Sequence, residues 1–222
     1  AIIPFVAKPK EYVSKNGEIY TPVLIFNQDE KIQFSKKHDA SDFYYQGYIG
    51  GKSKYLLYYF ERNGSVHKFS QENIIQQYEG KSMLAARSSD YHESKTSSKF
   101  ESLFKTLGFF GLVMVELKVD ENKNYMIEAN PRFWGPSQLF VDAKINLFEA
   151  LLFDYGFLEK RPQFEGVKDI TYFWFGGFFA AIRGGDIKSI CGEHEILNID
   201  EWLKYDIYKR DDTIDLFIEE LK

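Results

Sequence analysis

Glu116, Glu128, Asn130 and Arg132 carry the densest chemistry in this 222-residue chain. They sit in Val115-Glu116-Leu117-Lys118-Val119 and Tyr125-Met126-Ile127-Glu128-Ala129-Asn130-Pro131-Arg132, two strand-like runs joined by Asp120-Glu121-Asn122-Lys123-Asn124. If residues 120 to 124 form a five-residue hairpin loop, Val119 faces Tyr125. The count then places Glu116 opposite Glu128, with Cβ atoms roughly 4.5–5.5 Å apart. Asn130 shares that face, whereas Leu117, Val119, Tyr125 and Ile127 point into the other layer. Facing like charges weaken a sheet unless one is protonated, a basic group intervenes or a cation lies between them. Two carboxylates and an amide oxygen suit Mg²⁺, which keeps several waters and shares its remaining positions with phosphate oxygens. Phosphate in turn implies a nucleotide, and Arg132, just past the strand end, offers it a forked cation. The competing reading is a pair of solvated glutamates in another register, because a slip of one residue sends them to opposite faces.

The elements that must position these residues form a mixed series. Ile2 to Lys8 and Tyr20 to Phe26 read as strands, Gln28 to His38 as a short helix and Asp42 to Ile49 as another strand. Lys54 to Arg62 and Ser65 to Ser70 flank Asn63-Gly64, a hairpin turn signal, so this pair is antiparallel. In Glu93 to Leu107 the residues Phe100, Leu103, Phe104 and Leu107 fall on one helical face, which should lie on the sheet. Phe109 to Val119 and Tyr125 to Ala129 are strands, and Pro136 to Ala143 and Asn146 to Tyr155 carry helical stripes. From Pro162 the tail reads as strand-rich, with turns at Gly176-Gly177 and Gly184-Gly185 and a closing helix from Asp212 to Leu221. Strands follow one another with helices inserted singly, so the expected class is α+β.

Composition excludes several classes. With 44% apolar residues, including 21 Phe, 15 Tyr and 3 Trp, the chain is rich enough for a buried core. The single Cys191 closes no intrachain disulfide, which points to a reducing compartment and a cytoplasmic location. A net charge of −5 without a long basic run gives no footprint for nucleic acid. The longest uncharged run, Ile170 to Ile182, falls short of the roughly 20 residues that span a bilayer. The opening Ala1-Ile2-Ile3-Pro4-Phe5 enters a strand without initiator Met or leader and reads as a fragment or the second half of a split protein. Cys191 and His194 resemble a metal or nucleophile pair, but His38, His67 and His92 are scattered without the paired spacing of a zinc site.

The segments Gly111-Leu112-Val113-Met114-Val115-Glu116 and Ile127-Glu128-Ala129-Asn130-Pro131-Arg132-Phe133-Trp134-Gly135 resemble the ATP-grasp superfamily, closest to members related to carbamoyl phosphate synthetase and D-aspartate ligase. The likeness runs from residue 2 to 155 and more weakly into the tail. It implies two lobes of mainly antiparallel sheet with helices packed on them: 1–48 as a remnant of the smaller lobe, 49–160 as the main lobe with the Mg-ATP site, and 161–222 as a strand-rich extension. It further implies that Glu116 and Glu128 share one Mg²⁺ (or Mn²⁺), and that Glu128 and Asn130 hold a second. Arg132 would steady the γ-phosphate and an acyl phosphate, while Lys8 contacts the α- and β-phosphates. Gln46, Gly47, Tyr48 and Ile49 correspond to the hinge that reads adenine, through the Gly47 carbonyl and the Ile49 amide, and Leu117 and Ile127 wall the base.

The chain also departs from the pattern. Pro9 to Glu18, where the family has a glycine-rich phosphate loop, contains only Gly17, with Lys10 and Lys15 as substitute cations. A glutamate is usual where Gln46 or Gly47 stands. An upstream substrate domain and a second phosphate-contacting lysine would precede residue 1, so that domain or a second copy of the chain is an expected partner. The implied activity is ATP-dependent joining of a small carboxylate to an amine through an acyl phosphate. A non-catalytic nucleotide-binding or interaction module is the alternative, and the aromatic content leaves a sugar-binding surface as a third reading.

Overall fold

The computed structural model describes residues 2–14, 16–77, 82–120, 123–183, 190–191, 199–207 and positions 213, 215, 218 and 219. The expected turn at Gly184-Gly185, most of the helix from Asp212 to Leu221, and Lys15, Glu121 and His194 lie outside the described residues. The chain divides into two compact units, Ala1–Gly50 and Gly51–Lys222.

In the first unit β1 (Phe5–Pro9) lies between β2 (Val23–Ile25) and β3 (Phe43–Gly47), antiparallel to both. Alternation along β1 sends Phe5 and Ala7 into a small core with Ile25, Phe43 and Phe34 of α1 (Gln28–Lys37). α1 starts where Asn27 accepts from the Glu30 amide while the Glu30 carboxylate accepts from the Phe26 amide, so two otherwise orphaned N–H groups are satisfied.

In the second unit the strands run in the order β8-β7-β4-β5-β6-β9, every described strand pairing being antiparallel. They are β4 (Lys52–Phe60), β5 (Val66–Gln77), β6 (Met83–Ser88), β7 (Gly111–Val119), β8 (Asn124–Asn130) and β9 (Thr171–Phe173). One face buries Tyr55, Leu57, Tyr59, Leu112 and Met114 under α3 (Ser137–Asp142) and α4 (Leu147–Asp154). The other buries Leu56, Tyr58, Val113, Val115 and Leu117 against Phe104 of α2 (Lys95–Thr106). The α+β arrangement of antiparallel sheets with packed helices is as expected. At the start of β4, Gly51 has φ +105°, and a Cβ there would lie 2.7 Å from the Val119 carbonyl oxygen, so only glycine lets the chain pass this close to the end of β7.

Four local expectations are corrected. The β4–β5 strands end at Phe60 and resume at Val66, so the turn spans five residues and not the Asn63-Gly64 pair alone. The Glu61 amide closes it on the Ser65 carbonyl. α2 packs through Ser97, Phe100 and Phe104, leaving Leu103 47% and Leu107 69% exposed. The cause is Ser97, which is small enough to seat against the sheet, where the Tyr58 hydroxyl donates to its carbonyl at 3.1 Å. β6 was not expected at all. Gly176-Gly177 is not a hairpin turn but part of α5 (Phe175–Arg183). Gly177 is required there because a Cβ would overlap the Trp174 ring, and the described tail accordingly contains more helix than strand.

Candidate functional site

β7 and β8 bring Glu116 opposite Glu128. The register reaches this pair by an unexpected route. Val119 pairs with Asn124 rather than Tyr125, so the turn is one residue shorter than expected, and the register then shifts between Glu116 and Leu117. Leu117 pairs with Met126, which leaves Ile127 as the extra residue of a bulge. The shorter turn and the bulge cancel, and the two carboxylates face each other. Asn130 follows on the same strand, and its Nδ2 donates to Glu128 Oε1 at 2.6 Å. The amide oxygen Oδ1 takes no part in that bond.

Strand alternation puts Glu116 on the face of Leu112 and Met114, and Tyr55 of β4 pairs with it on the other side. Burial and then the Glu116 charge push the Tyr55 hydroxyl well above the ordinary phenol range, with a lesser push from Glu128, against the opposing hydrogen bond with Asn73 and the Arg132 charge. Tyr55 is therefore a neutral phenol at any physiological pH. Arg132 is exposed. Its backbone amide donates to the Asn130 carbonyl at 2.9 Å, a tight turn that redirects the chain at the strand end, and its Nη1 donates to the Phe133 carbonyl at 3.2 Å. Glu116, Glu128 and Arg132 line one cavity of about 240 Å³ together with Tyr55, Met114 and Trp134. No group of three or more His, Cys, Asp or Glu side chains able to hold a metal ion occurs among the described residues.

The other expected residues fall in several places. Ile127, the bulge residue, is half-buried. Leu117 is fully buried in the layer away from the carboxylates. In the first unit, Lys8 of β1 is half-buried opposite Tyr44, and Gln46 pairs with Val6. These four side chains share the sheet face that does not pack on α1. Gly47 pairs with Phe5, the Tyr48 amide donates to the Pro4 carbonyl at 3.2 Å, and Ile49 is half-buried just beyond. The loop after β1 closes on itself: Val13 bridges Ile19, the Gly17 amide donates to the Ser14 carbonyl, and the Glu18 amide donates to Ser14 Oγ. Tyr55, Met114 and Trp134 were missed as cavity residues. Trp134 sits two residues from Arg132 in the motif itself, whereas Tyr55 emerges only once β4 is known to pair with β7.

No family model and no curated protein matches this sequence. Solved structures do. N5-carboxyaminoimidazole synthetase from Staphylococcus aureus aligns at 19% identity with TM-score 0.57, over 82% of this chain and 48% of that one. An ADP complex of PurK, N5-carboxyaminoimidazole ribonucleotide synthetase, aligns at 16% identity with TM-score 0.55, over 68% of this chain and 41% of that one. The chain has the ATP-grasp fold. A biotin carboxylase–β-γ-ATP complex from Campylobacter jejuni is similar at 16% identity and TM-score 0.50, over 72% of this chain and 38% of that one. The chain thus spans less than half the length of each of these ATP-grasp structures. No helix among its described residues is long and apolar enough to cross a membrane.

Proposed function

We propose that the protein is an ATP-dependent ligase joining a small carboxylic acid to an amine in the cytoplasm. The observation that carries this reading is the facing pair Glu116–Glu128, lining one cavity with Arg132 and with Asn130 hydrogen-bonded to Glu128, within a fold shared with solved nucleotide complexes. The residues suit Mg²⁺ or Mn²⁺, since the donors are all oxygens and the carboxylates are already opposed. Glu116, Glu128 and Asn130 would hold the ion. Bound there, it would neutralise charge on the phosphoryl oxygens during transfer. Arg132 would pair with the transferring phosphoryl group as a forked donor, while Leu117 stays in the core. In the first unit taken by itself, Lys8 would offer a cation to phosphate, and the backbone at Gly47 and Ile49, with Gln46 and Tyr48, would offer hydrogen bonds to a base.

The reaction needs no protein nucleophile. A carboxylate oxygen bonds to the γ-phosphorus as the bond to the ADP oxygen breaks, giving an acyl phosphate. The amine nitrogen then bonds to the acyl carbon, inorganic phosphate departs with the C–O electron pair, and the nitrogen loses a proton to solvent. The chain's contribution is positioning and charge complementarity. Calorimetric titration of Mg²⁺ and ATP tests the site: the wild type should bind the two together and Glu128→Gln should lose Mg²⁺-dependent binding. ADP release on adding acids and amines tests the chemistry. Nucleotide binding that ignores Glu128→Gln overturns the proposal.

A second reading, a nucleotide-binding module without turnover, is favoured by the loop after β1. Its amides at Gly17, Glu18 and Tyr20 are satisfied within the loop, which leaves them poorly placed to cradle phosphates. Tight Mg-ATP binding with no ADP release from any acid and amine would select it.

A further inference from the structure

The second unit holds another cavity, of about 270 Å³, that shares no residue with the one beside the carboxylate pair. Ser88 lines it and Met83 lines the other, so the two lie at opposite ends of β6, about 17 Å apart at the rise of a strand. Phe69, Ile145 and Val167 give it apolar walls, and half-buried His92 lines it as well. His92 Nδ1 lies 2.9 Å from Ser70 Oγ and 3.1 Å from the Ser89 carbonyl oxygen. A carbonyl only accepts, so Nδ1 carries the ring proton. Burial holds the His92 pKa below its ordinary value, against smaller upward pulls from Glu93, the Ser89 bond and Asp90. The ring is therefore neutral at pH 7, and Nε2 is a bare acceptor. No described residue hydrogen-bonds to Nε2, which is not among the fully buried polar atoms that lack a partner.

The charges around this acceptor are unequal. Asp90, Glu93 and Asp169 line the cavity against Lys168 alone, and Lys168 is spent on Asp90 at 2.9 Å. Lys68, the other cation acting on His92, is tied to Glu101 at 3.0 Å. Glu93 and Asp169 accept no hydrogen bond from any described residue, which leaves two carboxylates and an imidazole lone pair facing a ligand that must supply both positive charge and donors. These groups are not placed to share a metal ion, since no set of three or more suitable side chains occurs among the described residues.

We propose that this cavity is a second ligand site, and that its ligand is a small organic ammonium ion. The N–H groups of the ion donate to His92 Nε2 and to the Glu93 and Asp169 carboxylates, and its apolar body lies against Phe69, Ile145 and Val167. The site is separate from that of Mg-ATP and stands whether or not the protein is a ligase.

The test is nuclear magnetic resonance of the full chain with isotope-labelled histidine rings, titrated with benzylammonium at neutral pH in EDTA. The ring signals that His92→Gln removes belong to His92, and they should show a proton on Nδ1 and none on Nε2. Benzylammonium should shift the Nε2 resonance saturably, and benzyl alcohol, which has the same body without the charge, should bind about tenfold more weakly or less. Glu93→Gln and Asp169→Asn should each raise the benzylammonium Kd about threefold and together about tenfold, as partly exposed charge pairs do. Both side chains are exposed, and asparagine tolerates the positive φ of Asp169, so the variants keep the fold. Glu128→Gln should leave the benzylammonium Kd unchanged. A His92 ring protonated on Nε2, no saturable shift, equal binding of benzyl alcohol, or an unmoved Kd in the double variant overturns the inference. A Kd raised by Glu128→Gln would seat the ion in the other cavity and overturns it too. None of these outcomes bears on Mg-ATP binding, so the ligase reading stands or falls on its own titration.

Discussion

Glu128→Gln removes one charge of the facing pair while keeping the side chain's size and an acceptor for Asn130 Nδ2. Paired residues on adjacent strands place their Cβ atoms about 5 Å apart. Two unit charges at that distance repel by about 3 kcal/mol at an effective dielectric of about 20. Both glutamates are half-buried, and Arg132 lines the same cavity and acts on the same Tyr55 hydroxyl. Solvent and that guanidinium reduce the net relief to about 1 kcal/mol. For a chain of this size the variant should therefore melt about 2–4 °C above the wild type in EDTA. With Mg²⁺ at about a hundredfold its Kd, the wild type should be stabilised by about 2.7 kcal/mol, or about 5–11 °C, and the variant hardly at all. The order of the two melting temperatures thus inverts between EDTA and Mg²⁺, which circular dichroism melts read directly. A variant less stable than the wild type in EDTA, or a wild type that Mg²⁺ does not shift, refutes the reasoning.

Gly51→Ala forces a Cβ against the Val119 carbonyl at positive φ and should cost about 2–3 kcal/mol, seen as a lower urea midpoint; an unchanged midpoint counts against the close approach. Ser97→Leu should overfill the seat of α2 and cost about 2–3 kcal/mol, whereas Leu103→Ser should cost less than about 0.5 kcal/mol; denaturant unfolding giving the reverse order would restore the helical face expected from the apolar stripe. Glu61 is 3% exposed, and burial alone would raise its pKa, but His67, Arg161 and Asn63 hydrogen-bond to it and hold the carboxyl below its ordinary 4.5. Its stabilising contribution is complete above that unfolded-state value and is lost as the pH falls through the lower folded one. Unfolding free energy measured from pH 7 down to pH 3 should fall less steeply in Glu61→Gln, and parallel profiles would argue against the linkage.

The carboxylate pair was legible because polar alternation within two strand-like runs is a local signal, and facing residues follow from the count. The count itself rested on a turn one residue too long. It survived because Ile127 bulges, and a bulge depends on how the sheet twists, which the residue types do not announce. The face of α2 was misread for a related reason: the apolar stripe Phe100, Leu103, Phe104 and Leu107 is real, yet Ser97 makes the contact, since a hydroxyl partner for Tyr58 outweighs an extra leucine. Met83–Ser88 escaped notice as a strand because two of its six residues are alanine, which carries little β preference. Gly176-Gly177 was read as a turn from composition, although the proximity of Trp174 explains Gly177 inside a helix. Tyr55 could not be read as a cavity residue because β4 and β7 meet only in the folded sheet, whereas Trp134 stands beside Arg132 in the motif and an apolar residue there carries no local sign of lining a cavity.

The displaced residue at Ile127 sits between the turn and the acidic pair. Irregularity in this hairpin is thereby confined to its outer half. Residues 114–116 and 128–130 keep an unbroken ladder on the inner side. The two acids thus sit in the regular part of the hairpin, and substitutions in its tip leave them aligned as long as the tip's length and the bulge still cancel.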